Sequence, residues 1–255
     1  MTTWRRPGRV GRAVYAALAG VVGAVLALVS RLRIERGRSM VRVAERLPDG
    51  PIIVVANHTS YADGLLLALI CRRLGRPVRL LATGGVFRVP LVGRLARTVG
   101  FIPVERGTSH AADALDAAAD ALAAGEAVGL FPEGRITRDR DRWPERSRTG
   151  AVRLALRTGA PIIPVAIVGA HRVIDRRHIA GRLMLNAVLR PRVRSRVGDP
   201  IDVHALLGRP TPEAVRAAAD AVMESLIDLI EDVRGEIAPD PIGIPPSPTP
   251  PQPVR

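Results

Sequence analysis

Apolar runs that stop at a polar turn, each followed by a helical pattern, recur through the middle of this 255-residue chain. The strand candidates are 51–56, 78–82, 101–104, 127–131 and 161–168, with later extended segments near 183–189 and 192–197. Between them lie helical patterns at 64–74, 87–98, 109–124, 149–158 and 212–234. Strands that are apolar throughout, rather than alternating, bury both faces, and helices between parallel strands are what covers them. The pattern therefore predicts an α/β fold, a mostly parallel sheet flanked by helices on both faces. Thr211-Pro212-Glu213 supplies a helix start, threonine as N-cap and proline in the first turn.

Chemistry in such folds gathers where strands end. The run Ile52-Ile53-Val54-Val55-Ala56 leads straight into Asn57-His58-Thr59-Ser60-Tyr61-Ala62-Asp63, and the run Ala127 to Leu130 leads into Phe131-Pro132-Glu133-Gly134-Arg135. On a regular helix, five positions at about 100° each set His58 and Asp63 apart around the axis, so they meet only if the chain turns between them. A strand end running through Thr59-Ser60 into a helix near Gly64 provides that turn. The carboxylate would then take a hydrogen bond from one imidazole nitrogen, fix the tautomer and leave the other nitrogen as a base. An ordinary histidine, with a pKa of about 6.5, suits proton abstraction from an alcohol. There is no G-x-S-x-G elbow for an enzyme nucleophile, which leaves the substrate's own hydroxyl as the attacking group. Metal binding would need a third ligand, and His110, His171, His178 and His204 are scattered without ligand spacing. Read from the residues alone, the His58–Asp63 pair is as compatible with a structural role as with a catalytic one.

Charge and the two ends narrow the class. The net charge of +14 comes entirely from arginine, with no lysine in the chain. Such a surface favours anionic headgroups, phosphorylated substrates or nucleic acid. Nucleic-acid binding is the reading set aside, because aromatic residues make up 3% of the chain and no recognition module is present. The single cysteine, Cys71, allows no intrachain disulfide. Ala13 to Ser30 is an uncharged stretch with arginines on both sides. At roughly 1.5 Å per residue it reaches about 27 Å, close to the hydrocarbon thickness of a bilayer, so it spans the membrane, re-enters it or lies in its interface, with a buried core helix as the alternative. The basic residues behind it and the lack of a small-x-small cleavage site argue against export. The expected organisation is a basic and hydrophobic membrane anchor over 1–38, a catalytic domain over 39–238 and a disordered proline-rich tail over 239–255. The charge-alternating segment Arg138 to Arg148 reads as an exposed loop, with a phosphate-binding lid as its alternative.

Four segments together carry a resemblance to the glycerolipid acyltransferase family, which includes 1-acylglycerol-3-phosphate acyltransferases. It covers roughly residues 40 to 200. The N-H-x-x-x-x-D motif stands as Asn57, His58 and Asp63, and the second motif, an apolar stretch ending in arginine, as Gly100 to Arg106. The third, F-P-E-G, stands as Phe131 to Gly134, and the fourth, an apolar strand with proline, as Ile162-Ile163-Pro164-Val165-Ala166. Family members commonly follow F-P-E-G with threonine and arginine, whereas this chain reads Arg135-Ile136-Thr137.

The resemblance implies that His58 deprotonates an acceptor hydroxyl, Asp63 orients it, and the oxygen attacks an acyl thioester with no cofactor and no acyl-enzyme. Arg106 would bind the acceptor phosphate, with Asn57, Glu133, Gly134, Arg135 and Pro164 completing the substrate site. Arg148, before Thr149-Gly150, corresponds to a further basic position. The implied partners are acyl-CoA or acyl carrier protein as donor, a lysophospholipid acceptor with lysophosphatidic acid leading, and an anionic membrane. The implied location is the cell membrane, the catalytic domain on its cytoplasmic side. Three alternatives stand beside this reading: another lyso-lipid or glycolipid acceptor, a metal-dependent hydrolase with His58 and Asp63 as ligands, and a non-catalytic basic peripheral membrane protein.

Overall fold

Each of the five apolar runs between 51 and 168 contains a strand, and the strands lie side by side in one sheet. The computed structural model describes residues 4–35, 46–105, 111–174, 179–207 and 210–239. In chain order the elements are α1 (Arg9–Val29), β1 (Arg31–Glu35), β2 (Ile52–Ala56), α2 (Ala62–Arg73), β3 (Val78–Thr83), α3 (Gly84–Arg88), α4 (Pro90–Thr98) and β4 (Ile102–Val104). There follow α5 (Ala111–Ala123), β5 (Ala127–Leu130), α6 (Gly150–Thr158), β6 (Ile162–Val168), a 3-10 turn at Ala170–Arg172, α7 (Ile179–Leu189), β7 (Arg192–Val197), α8 (Val203–Leu206) and α9 (Pro212–Arg234).

The sheet order is β1-β7-β6-β2-β5-β3-β4. All pairs are parallel except β6 with β7. The wholly buried β2 is central, in register with β5 through Ile53↔Val128 and with β6 through Val54↔Ile163. Alternate β2 residues feed two cores: Ile52 and Val54 pack beneath α2 with Leu66 and Ile70, while Ile53 and Val55 pack against α5 and α6 with Leu122 and Leu154. Burying such side chains on both faces, at about 25 cal/mol per Å² of apolar surface, holds the strand ends in fixed register.

Three elements differ from the sequence pattern. The segment near 183–189, expected to be extended, belongs to helix α7. Its alternating leucines mimic a strand, but Leu183 packs on the core and Asn186 is buried, a helical spacing. The Asn186 amide donates to Arg172 O at 2.8 Å and Val173 O at 2.9 Å. Leucine, methionine and alanine here are also strong helix formers. The single helix expected over 87–98 breaks at Val89, because the residue before Pro90 is driven out of the helical region. Arg31–Glu35, the basic collar behind the apolar stretch, forms β1 and pairs with β7.

Helix α1 is long and apolar enough to cross a membrane by length and composition. It also packs on α2, α4 and α7.

Candidate active site

The turn that brings histidine and carboxylate together is built by the carboxylate itself. Asp63 lies in the first turn of α2, where exposed backbone N–H groups favour an anion. Its Oδ2 accepts from Thr59 N–H at 2.5 Å and Ser60 N–H at 2.6 Å, folding 57–63 back on itself. Ser60 Oγ accepts from Ala62 N–H at 3.0 Å. The same Oδ2 stands 3.0 Å from His58 Nδ1. Asp63 is fully buried. Burial pushes its carboxyl up, while hydrogen bonds from His58, Ser60 and Thr59 pull it down. With two backbone N–H groups already donating to Oδ2, the third approach is satisfied by a proton on Nδ1. That tautomer leaves Nε2 bare and basic. The imidazole retains partial exposure, 14% of its side chain. It stacks on Phe131, ring centroids 4.2 Å apart and 16° from parallel.

The β5 turn closes on the same place. Glu133 is buried, its Oε1 accepting His58 N–H at 2.8 Å and its Oε2 accepting Glu145 N–H at 3.0 Å. Burial pushes its carboxyl up to about 8, against the pull of those two N–H groups. Gly134 has φ +72°, and a Cβ there would stand 2.8 Å from Arg148 Nε, so glycine serves both the turn and the arginine lying over it. Thr137 N–H donates to His58 O at 2.8 Å, tying the far side of this loop to the β2 turn.

Among the sequence candidates, His58, Asp63, Glu133 and Gly134 come together. Asn57 is next to them but buried, its Nδ2 donating to Ile167 O at 2.9 Å and its Oδ1 accepting Ile167 N–H at 2.8 Å. It clamps the end of β2 to β6. Arg135 faces outward into an ion pair with Glu145, its Nε 2.7 Å from Oε2. Pro164 sits deep in the sheet, in register with Val55 and below the strand end. Arg106 lies outside the described residues. Arg148 reaches the site through its N–H, which donates to Pro132 O at 2.8 Å, and its side chain over Gly134. Phe131 and Thr137 escape a reading of charged groups alone, and Glu145 is hidden in the charge-alternating segment; for Phe131 the signal is its place in the F-P-E-G motif.

The segment 138–148, expected as an exposed loop, is tied down at several points. Trp143 and Ser147 are buried. Ser147 Oγ donates to Ala219 O at 3.0 Å, and Arg216 of α9 donates to Ser147 O at 2.7 Å while pairing with Asp220. The alternating charges hid an apolar anchor, Trp143, and a hydroxyl that the final helix captures.

A mostly parallel sheet covered by helices, with a histidine held by a buried carboxylate at the end of its central strand, defines an α/β protein with a candidate base where its strands end. The chain belongs to the acyltransferase family, whose model, described as Acyltransferase, matches residues 38–168. An uncharacterized protein of Mycobacterium tuberculosis is 36% identical over 140 residues, 51% of this chain and 37% of that protein. The chloroplastic 1-acyl-sn-glycerol-3-phosphate acyltransferase BAT2 of Brassica napus is 29% identical over 133 residues, again 51% of this chain and 37% of that protein. The matched region thus spans little more than a third of these relatives. The fold is that of the 1-acyl-sn-glycerophosphate acyltransferase PlsC from Thermotoga maritima, with a TM-score of 0.65 at 23% identity over 90% of this chain and 83% of that one.

Proposed function

We propose that this protein moves a fatty acyl group from the thioester of coenzyme A or acyl carrier protein to the free hydroxyl of 1-acylglycerol-3-phosphate, yielding phosphatidic acid. The observation that carries the reading is the 3.0 Å contact of His58 Nδ1 with buried Asp63, which leaves Nε2 without a partner among the described residues. In the step, Nε2 takes the hydroxyl proton as the oxygen bonds to the thioester carbonyl carbon. The carbon–sulfur bond then breaks, and the leaving thiolate takes the proton back from the imidazolium. No enzyme nucleophile enters, so both substrates must meet at His58 together. Arg148 over Gly134, with Arg106 from the family motif, supplies guanidinium forks for the acceptor phosphate. Arg135 contributes less, being occupied by Glu145.

The test is label transfer from radiolabelled long-chain acyl-CoA to lysophosphatidic acid, with and without a chelator. Labelled phosphatidic acid at an unchanged rate with chelator is the expected result. Loss of turnover with chelator would favour the metal-dependent hydrolase. No transfer to this or any other lyso-lipid, from either donor, would favour a non-catalytic membrane protein.

Membrane seating forms part of the proposal. On α7, Met184, Leu185, Val188 and Leu189 form one helical face in solvent, Met184 77% and Val188 81% exposed. On α1, which packs against α7, Val21, Val25 and Leu28 do the same. Arg190, at the end of α7, donates to Ala27 O of α1 at 2.7 Å, locking the pair. Two adjacent apolar faces bordered by arginine suit the interface of an anionic bilayer. Met184→Asp with Val188→Asp is expected to weaken sedimentation with phosphatidylglycerol vesicles by about tenfold or more, since each substitution sets a charge against hydrocarbon. Unchanged vesicle binding would remove α7 from the seat.

A further inference from the structure

Beside the His58 site, on the β6–β7 side of the same sheet edge, lies a crevice of about 940 Å³. Six arginines line it: Arg140 and Arg142 from the loop after β5, Arg172 from the 3-10 turn, Arg192 and Arg194 from the start of β7, and Arg234 from the end of α9. Among the described residues, Asp141 and Glu236 are its only carboxylate lining residues, so their wall carries a large surplus of positive charge.

The cavity is built rather than incidental. Gly169, at φ +93°, lets the chain pass beneath β7, where a Cβ would stand 2.4 Å from Arg192 O. The Arg234 guanidinium is stacked 4.2 Å over the Trp143 ring, and its Nη2 donates to Arg142 O at 3.1 Å. His171 presents a buried Nδ1 with no hydrogen-bond partner. Burial and the surrounding arginines push its pKa down to about 4, so at neutral pH it is an uncharged donor or acceptor. Arg140, Arg142, Arg172 and Arg192 have no carboxylate partner among the described residues.

Position relates this crevice to the reaction. Asn57 and Ile167 bond to each other across β2 and β6, and His58 and Val168 follow them directly. The crevice therefore opens on the order of one or two strand spacings, roughly 5–10 Å, from the His58 backbone. Trp143 in its wall is joined to the catalytic turn through Thr137, whose Oγ1 donates to Trp143 O at 2.7 Å and whose N–H donates to His58 O at 2.8 Å. The Arg148–Gly134 cluster belongs to the β5 turn, and β4, within the second motif, lies at the far edge of the sheet. Two substrates approaching one histidine from opposite sides need two anion sites, and this arrangement supplies them.

Resting on the acyltransferase reading above, we propose that the crevice seats the phosphorylated nucleotide end of a coenzyme A thioester, its arginines gripping the phosphates while the acyl-bearing arm reaches toward His58. Its volume is that of a small-molecule pocket. Several guanidinium groups converging in a concavity fit a compact ligand with several phosphates better than the convex acidic surface of a carrier protein.

The experiment pairs calorimetric titration of coenzyme A and its 3′-dephospho form with kinetics of wild type and the Arg172→Gln/Arg192→Gln double variant. Both positions are exposed, and equal melting temperatures will show the variant folded. The expected result is tighter wild-type binding of coenzyme A than of the dephospho form. In the variant, coenzyme A binding should weaken, and KM for acyl-CoA should rise, by about tenfold or more, as loss of charge-assisted bonds implies. KM for the acceptor and for an acyl-pantetheine donor lacking the nucleotide should stay the same. A rise confined to the acceptor KM would overturn the proposal in favour of the acceptor phosphate, and a rise confined to an acyl carrier protein donor would assign the crevice to that protein. Loss of vesicle binding alone would assign it to lipid headgroups. Absence of coenzyme A binding to the wild type would also overturn it. If the wild type binds coenzyme A through these arginines yet transfers no acyl group, the crevice stands and the acyltransferase reading falls.

Discussion

Replacing His58 by alanine is expected to lower kcat for acyl transfer by about 10²–10⁴-fold, the range a positioned general base supplies. The companion change Asp63→Asn should cost a similar amount, about 10⁴-fold where a triad carboxylate is the precedent, for a different reason. An asparagine oxygen can still accept the Thr59 and Ser60 N–H groups that fold the turn. That same oxygen faces Nδ1, so the proton stays on Nδ1, but a neutral amide leaves uncompensated the positive charge of the imidazolium that forms when Nε2 takes the substrate proton. The histidine keeps its place and loses its function. A structural role would produce another pattern: Asp63→Asn would lower the melting temperature and leave kcat of the folded fraction intact. Measuring kcat, both KM values and thermal stability for wild type and the two variants separates these outcomes. A His58→Ala protein within tenfold of wild type would remove His58 as the base.

How much of this site could be read in advance depended on whether the information was local. The β2 and β5 strands are short apolar runs ended by polar turns, and the His58–Asp63 turn is closed by residues within the same heptapeptide, so both were legible. Non-local partners were not. That Asn57 grips Ile167, 110 positions away, rather than substrate depends on β6 lying beside β2, which no local pattern announces. Arg135 falls in the substrate site by its place in the third motif, and its partner Glu145 is ten residues off; Trp143 falls in a segment that reads as exposed because α9 holds its loop from the other end of the chain. Helix α7 was misread because alternation of leucines satisfies both periods, and α1, its packing partner, decides between them. For β1, Arg31-Leu32-Arg33-Ile34-Glu35 alternates charged and apolar residues, the period of a half-buried strand, but its place behind the apolar stretch gave it the look of a basic collar until β7 supplies the ladder.

Glu133 offers the second large effect, on stability and its dependence on pH. One carboxyl group holds two segments together, the His58 backbone through Oε1 and the Glu145 backbone through Oε2. Burial raises this carboxyl from an ordinary value of 4.5 to about 8. Between those values the native protein keeps a proton that the unfolded chain has released. The unfolded state then binds fewer protons, so stability falls as pH rises. The contribution is whole below about pH 4.5, declines by about 1.4 kcal/mol per pH unit for one proton, and is gone above the native value. Glu133→Gln does not titrate, and its single carbonyl oxygen can serve only one of the two N–H groups. The unpaired donor should cost about 1–3 kcal/mol. At pH 5 the variant should therefore melt well below wild type, and the gap should narrow steadily toward pH 9 as wild type loses its advantage. Activity should fall as well, by up to about 10²-fold, because the His58 backbone or the 138–148 loop is released and a displacement near 1 Å suffices for such a loss. Thermal melts of both proteins from pH 5 to 9 decide the matter. A gap that stays constant across that range would mean that Glu133 is ionised throughout, held as a carboxylate by its two backbone donors despite its burial.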